Sequence, residues 1–258
     1  MLSQNFSHKP NKILITGSSG TGKTTYLLRY ILGSLDRTLN SGIRYDKILA
    51  LDAEGEIAQR LNVDAILDSR FLTDAICDEK RQLIVYDPVD EFAGDPFTAF
   101  QFFCQWAFEV SKAMPGKFKL FACDELQVFL TPNNIPWEFS QCIHRGRRAG
   151  LDLALASQQL NLIHNTVRNA ITETVTFRQE DMTAIKMLAE KGFDPDAIMA
   201  LPDLHFLLKS TRESGVRAGV ISSLDISGES PKLSEQIETT DERPADDSEQ
   251  FQEIQNEK

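Results

Sequence analysis

The sequence predicts an α/β protein built on a mostly parallel sheet, with helices on both faces and a β-hairpin at the end. Three observations predict it. Short apolar runs of strand length alternate with longer stretches whose apolar residues recur at helical spacing. A glycine-rich segment, GSSGTGKT at residues 17–24, falls between the first such run and the first helical pattern. A later run, KLFAC, ends directly in the adjacent carboxylates Asp124 and Glu125.

In chain order, KILIT (12–16) reads as a buried strand, and Thr24 to Leu35 carries a helical apolar pattern. KILALD (47–52) is a second strand, followed by a turn-like AEGE. QLIVYD (82–87) is a third, and Phe97 to Lys112 is an aromatic-rich helix. KLFAC (119–123) is a fourth, and after an irregular PNNIP stretch a helix runs from about Trp137 to Arg148. LDLALAS (151–157) and ETVTFR (173–178) are the fifth and sixth, and Met182 to Glu190 is a short helix. LHFLLKS (204–210) and GVRAGVIS (215–222) form the hairpin. Strands separated by helices pair in parallel and are covered on both faces.

With 258 residues and 41% apolar content the chain has the composition of a folded protein. Its net charge of −11 is unevenly spread. From Asp225 onward eleven Asp and Glu face three Lys and Arg, a net −8 that leaves −3 for residues 1–224. The acidity therefore describes a tail and does not exclude a nucleic-acid partner for the body. The expected domains are a folded domain at 1–224 and a disordered acidic tail at 225–258, poor in large apolar residues. No apolar run is long enough to span a membrane, and the N-terminus lacks the apolar core of a secretion signal. The cysteines (Cys77, Cys104, Cys123, Cys142) form no CxxC pair or zinc spacing. A cytoplasmic setting is expected.

GSSGTGKT matches GxxxxGK[ST] in the strand-then-helix context that gives the motif its meaning, and so predicts a P-loop NTPase fold of the RecA-like kind. Gly17, Gly20 and Gly22 let the backbone curl so that N–H groups of Ser18, Ser19, Thr21 and their neighbours face phosphate oxygens, and the following helix adds its positive dipole end. Lys23 is expected to reach the β- and γ-phosphates of ATP, the Thr24 hydroxyl to ligate Mg²⁺, and Thr25 to complete the nucleotide-binding segment.

A second strand must bring a carboxylate to the metal. Asp124 is the expected Mg²⁺ residue and Glu125 the general base. Asp87, followed by Pro88, reads more simply as a strand-ending turn, and the acidic DAEGE (52–56) as either a solvated strand end or part of the site. Ser157-Gln158-Gln159 ends the fifth strand, where open α/β sheets bind ligands. Just before that strand, HRGRRAG carries Arg145, Arg147 and Arg148. These are either cations at a helix C-terminus or the source of an arginine finger acting on a neighbouring subunit. Lys112, Lys117 and Lys119, flanking the fourth strand, are candidates for DNA contact or plain solvated lysines.

From about Lys12 to Leu208, these residues together resemble the FtsK–HerA superfamily of ring-forming, DNA-translocating ATPases. GSSGTGKT resembles its Walker A motif, LFACDE its Walker B motif, and LDAEGE its DPxGE-type turn. HRGRRAGLDLALASQQ resembles its [GA]RxxG–strand–[ST]QRP block. By position the resemblance makes Arg147 the basic residue of that block and Gln158 the sensor glutamine. Gln159-Leu160 stands where the family has Arg-Pro. With no membrane span, winged-helix end or β-rich N-terminal domain, the chain is most similar to the genome-packaging ATPases of tailless, membrane-containing double-stranded DNA viruses and phages. The resemblance implies a homo-oligomeric ring, a hexamer, with double-stranded DNA and capsid or portal-vertex proteins as partners, in the host cytoplasm or at the virion vertex. The alternatives are a filamentous-phage-type assembly ATPase, and a nucleotide-dependent switch or kinase that does not act on nucleic acid.

Overall fold

Along the strand Leu151–Ser157, Leu153 and Leu155 face one side of the sheet while Ala154 and Ala156 face the other. The neighbouring strands alternate between the same two faces, although Ile13, Ile15 and Leu120 join the alanines on theirs. Phe121 and Cys123 lie on the leucine side, and Ala50 and Ala122 on the alanine side. Small side chains on one face let a helix lie close to the sheet, while the opposite face needs a thick aromatic layer to fill it.

The computed structural model describes residues 11–35 and 45–222. β1 (Lys12–Thr16) leads into α1 (Lys23–Leu35), and β2 (Lys47–Leu51) into α2 (Glu56–Leu61) and α3 (Leu72–Cys77). β3 (Leu83–Tyr86) precedes α4 (Pro96–Ala113), β4 (Lys119–Cys123) precedes α5 (Trp137–Arg145), and β5 (Leu151–Ser157) precedes α6 (Asn165–Ala170). β6 (Glu173–Thr176) is followed by α7 (Met182–Glu190) and α8 (Pro195–Met199), and the pair β7 (His205–Ser210) and β8 (Arg217–Val220) closes the sheet. The strand order is β3-β2-β4-β5-β1-β6-β7-β8. The pairings from β3 through β6 are parallel and the last two antiparallel, as the alternation predicts.

On the alanine side, α1 buries Leu27, Leu28 and Ile31, and α2 buries Ile57. On the other side α4 contributes Phe100 and Phe103. Phe100 meets Phe139 of α5 edge-on at 4.8 Å and stacks on Phe129 at 5.2 Å. The register aligns Thr16 with Ser157, and Cys123 with Leu155. The residues just past β4 therefore come level with the ends of β5 and β1. The chain leaves β1 for one face and β5 for the other, which opens a crevice at these three strand ends.

Three differences from the sequence reading have physical causes. The segment read as a turn after β2 continues into α2, whose six residues are too few to show a period. The helix from Trp137 stops at Arg145, and the next residues form a 3-10 turn, Gly146–Ala149, capped by Gly150 at φ 68°. Lys119 is not a DNA-contact residue, because it is 0% exposed. Its ammonium donates to the carbonyls of Ser111 (3.0 Å), Met114 (2.9 Å) and Lys117 (2.7 Å), closing the end of α4 onto the sheet. Burial lowers its pKa to about 8, so at neutral pH it still brings its charge to those carbonyls. Lys117 is exposed beside Asp46, and Lys112 pairs with Glu109 over the Phe108 ring. The acidic tail lies outside the described residues.

Lys119→Met keeps the stem and removes the three hydrogen bonds. It should cost about 2–3 kcal/mol in urea denaturation at pH 7, as expected for bonds to a charged donor.

Candidate active site

The loop after β1 is held open by contacts that only glycine permits. A Cβ on Gly17 would lie 2.6 Å from Phe177 Cβ and 2.8 Å from Thr21 Oγ1. At Gly22, with φ 122°, a Cβ would press on Phe177, Leu204 and Ile221 at 3.0–3.3 Å. The loop is fixed from outside as well. Ser18 N donates to the Arg178 carbonyl at 2.8 Å, and Leu204 N to the Thr21 carbonyl at 2.9 Å. Leu204 has a left-handed backbone (φ 65°), which is costly for a leucine, and its carbonyl in turn receives Ile221 N at 2.9 Å. One residue further, Arg29 of α1 donates through Nε to the Ser222 carbonyl (3.0 Å) and through Nη2 to the Ser222 hydroxyl.

Inside the loop, Thr21 Oγ1 and Lys23 Nζ both donate to the Ser18 carbonyl, at 2.8 and 3.0 Å. Burial lowers the Lys23 pKa, against the opposing pull of Glu125, Asp124 and Glu56. The loop faces an open cleft of about 330 Å³. Ser19, Gly20, Gly22, Lys23, Thr24 and Thr25 line one wall; Asp124, Glu125 and Gln158 stand on the other, with Asp52, Glu56 and Arg60 at one side. The structure thus brings six of the nine expected loop residues, both expected carboxylates and the expected glutamine to one cleft, while Gly17, Ser18 and Thr21 lie behind its wall.

Asp124 is 7% exposed, accepts a hydrogen bond from Glu125 N at 2.9 Å, and lies beside the Thr24 hydroxyl, which favours its ionised form. Burial raises its pKa to about 6, with the Thr24 hydroxyl opposing the shift and the nearby Glu125 adding to it. A hydroxyl and a carboxylate in contact are hard oxygen donors suited to Mg²⁺, an ion that commonly takes its other ligands from water and phosphate. The glycine-walled loop with Lys23 suits the phosphates. The residues present therefore fit a magnesium–nucleotide pair.

Glu125 has a left-handed backbone (φ 48°, ψ 47°). Its Oε1 receives Gln158 Nε2 at 2.6 Å, and its Oε2 receives Gln127 Nε2. Gln127 Oε1 accepts from Ser157 Oγ at 2.6 Å and from Gln158 N at 3.2 Å. Sequence reasoning missed Gln127, and the only available signal was a second amide two residues past the acidic pair. It also missed Arg60, which α2 carries to the cleft, where Nη2 donates to Thr25 Oγ1 at 2.9 Å.

Asp52 of the DAEGE turn is buried beside the cleft and accepts from Ala58 N at 2.8 Å, so it shapes the start of α2. Asp87 accepts from Val89 N at 3.0 Å and is a strand-end turn, as its proline suggested. Arg145, Arg147 and Arg148 are exposed on the stretch that enters β5, at the opposite end of the strand from the cleft, and they do not line it.

Fold and site together define a P-loop NTPase architecture. The genome packaging NTPase B204 from Sulfolobus turreted icosahedral virus 2, in complex with sulfate, has a similar structure, with a TM-score of 0.63 at 16% identity over 83% of this chain and 98% of that one. The bacterial conjugative coupling protein TrwBdeltaN70 gives a TM-score of 0.62 at 11% identity, over 82% of this chain and 84% of that one. VirB4 of Thermoanaerobacter pseudethanolicus gives 0.61 at 10%, over 83% and 90%. No family model and no curated protein matches by sequence. The likeness expected from the motifs therefore holds at the level of the fold.

A buried acid with a raised pKa makes a sharp prediction for the metal-free protein. The folded state disfavours ionised Asp124, so its penalty is absent below the unfolded pKa, grows as pH rises from there, and is complete above about 6. Asp124→Asn should raise Tm at pH 7.5 by a few degrees, on the order of 2–3 kcal/mol, and at pH 5 by about half as much. Thermal melts at the two pH values check this.

Proposed function

We propose that this protein is a Mg²⁺-dependent ATPase that works as a homo-oligomeric ring, a hexamer, and translocates double-stranded DNA into a viral or phage capsid. The observation that carries the ATPase reading is the gathering of Lys23, Thr24, Asp124 and Glu125 around one cleft, with Gln158 bonded to Glu125. Lys23 and the backbone of residues 17–25 hold the phosphates. Thr24 and Asp124 hold the magnesium ion, which when bound supplies charge neutralisation to the β- and γ-phosphates. Glu125 takes the proton of the attacking water, and Gln158 orients that water or the γ-phosphate.

The motor reading is supported by the fold shared with a genome packaging NTPase and a conjugative coupling protein, and by the placement of the arginines. Arg147 points to no partner in its own cleft, which suits a residue that completes the cleft of the next subunit in a ring. Residues 1–224 would form the ATPase body, and residues 225–258 an acidic extension of it. Such a motor would act from the host cytoplasm at a capsid or portal vertex, and the switch or kinase alternative would show no response to DNA.

ATP turnover measured across protein concentrations, with and without duplex DNA, tests the reading. Specific activity should rise with both, and Glu125→Gln should lower it by about 10²-fold or more with ATP still bound. Turnover indifferent to concentration and DNA would remove the motor.

Arg147→Ala should lose about 10³-fold in turnover and regain part of it when mixed with Lys23→Ala subunits, since each supplies what the other lacks. Absence of rescue in mixed assemblies would count against an arginine acting between subunits at this position.

A further inference from the structure

The Glu125 carboxylate is engaged on both oxygens, and one of its two partners has no part in the chemistry just described. Gln127 reaches back over Glu125 because residues Leu126–Val128 form a 3-10 turn that begins at the left-handed backbone of Glu125. The orientation of its amide follows from the network. Its oxygen faces two donors, the Ser157 hydroxyl and Gln158 N, so its nitrogen must face the carboxylate. Turned the other way, the amide would set donors against donors and an oxygen against the carboxylate. The bonds among Glu125, Gln127, Ser157 and Gln158 tie the end of β4 to the end of β5 at the wall of the cleft, and the Ser157 hydroxyl also reaches the Gln159 carbonyl at 3.4 Å.

We propose that Gln127 is a positioning residue that, together with Gln158, latches the Glu125 carboxylate in the resting subunit and keeps hydrolysis slow. The inference rests on the reading of Glu125 as the general base. To take a proton from water, a carboxylate oxygen must give up an amide donor or share itself with one. Gln158 releases Oε1 when its amide turns to the nucleotide. Gln127 then remains as the second hold, and its grip depends on where Ser157 and Gln158 sit, because they fix its oxygen. A shift of the β5 end therefore re-aims the base through Gln127. Without Gln127 the base is freed from that control.

The test uses the full chain. Steady-state ATP turnover is measured at low protein concentration without DNA, and again at high concentration with saturating duplex DNA. Gln127→Met, close in size and without the amide, should raise the resting kcat by about threefold to tenfold, the worth of roughly one hydrogen bond. The KM for ATP should stay within about twofold, and stimulation by DNA should shrink by the same factor as the resting rate rises. Gln127→Glu, which sets a second carboxylate against Glu125, should raise the resting rate further. Ser157→Ala, which frees the Gln127 oxygen, should raise it in the same direction, and it reads the latch independently if the Gln127 variants fail to fold. A resting rate that falls or stays level in these variants overturns the latch while leaving the base assignment standing. Turnover that survives Glu125→Gln under the same conditions overturns the base assignment itself, and the latch with it.

Discussion

A carboxylate removed from water at the end of an apolar strand is the constraint on which the site depends. Asp124 follows five buried residues and has one backbone N–H bonded to it, with the Thr24 hydroxyl close by. An ionised acid so placed costs stability unless a cation joins it. The fold keeps it there because β4, β5 and β1 lie side by side, and their register leaves little room to turn the group outward. The site is thus poised to gain from any ligand that brings positive charge along with phosphate.

Charge is distributed along the sheet with a direction. β1, β2 and β4 all begin with a lysine (Lys12, Lys47 and Lys119), and burial lowers the pKa of each. Lys47 and Lys119 spend their protons on main-chain carbonyls at loop and helix ends. The other end of the same strands carries Asp52 and Asp124. Cations therefore close the structural end, where they complete backbone hydrogen bonding, and acids stand at the end where the cleft opens.

Most of the fold was legible because its strands are short, apolar and punctuated. KILIT, KLFAC and LDLALAS coincide with β1, β4 and β5, and the hairpin follows where the alternating pattern places it. The glycine-rich loop and the acidic pair stood out as local patterns in the sequence, and the structure places them on one cleft. What escaped was set by tertiary placement. Helix α2 is too short to show a period, yet it delivers Arg60. Gln127 is an ordinary polar residue until a tight turn folds it onto Glu125. Lys119 read as a surface charge because a sequence does not show that three carbonyls wait for it.

The seam around Leu204 has a mechanical consequence. Ile221 is bonded to Leu204, Leu204 is bonded to the phosphate loop at Thr21, and Arg29 grips Ser222 from the helix that the loop begins. A tension applied to the chain beyond Ser222 would load the loop and α1 directly, with only two or three bonds in series between the point of pull and the nucleotide wall. The exit of the polypeptide is in this sense a short lever on the cleft, and strain at one would be felt as a change of shape at the other.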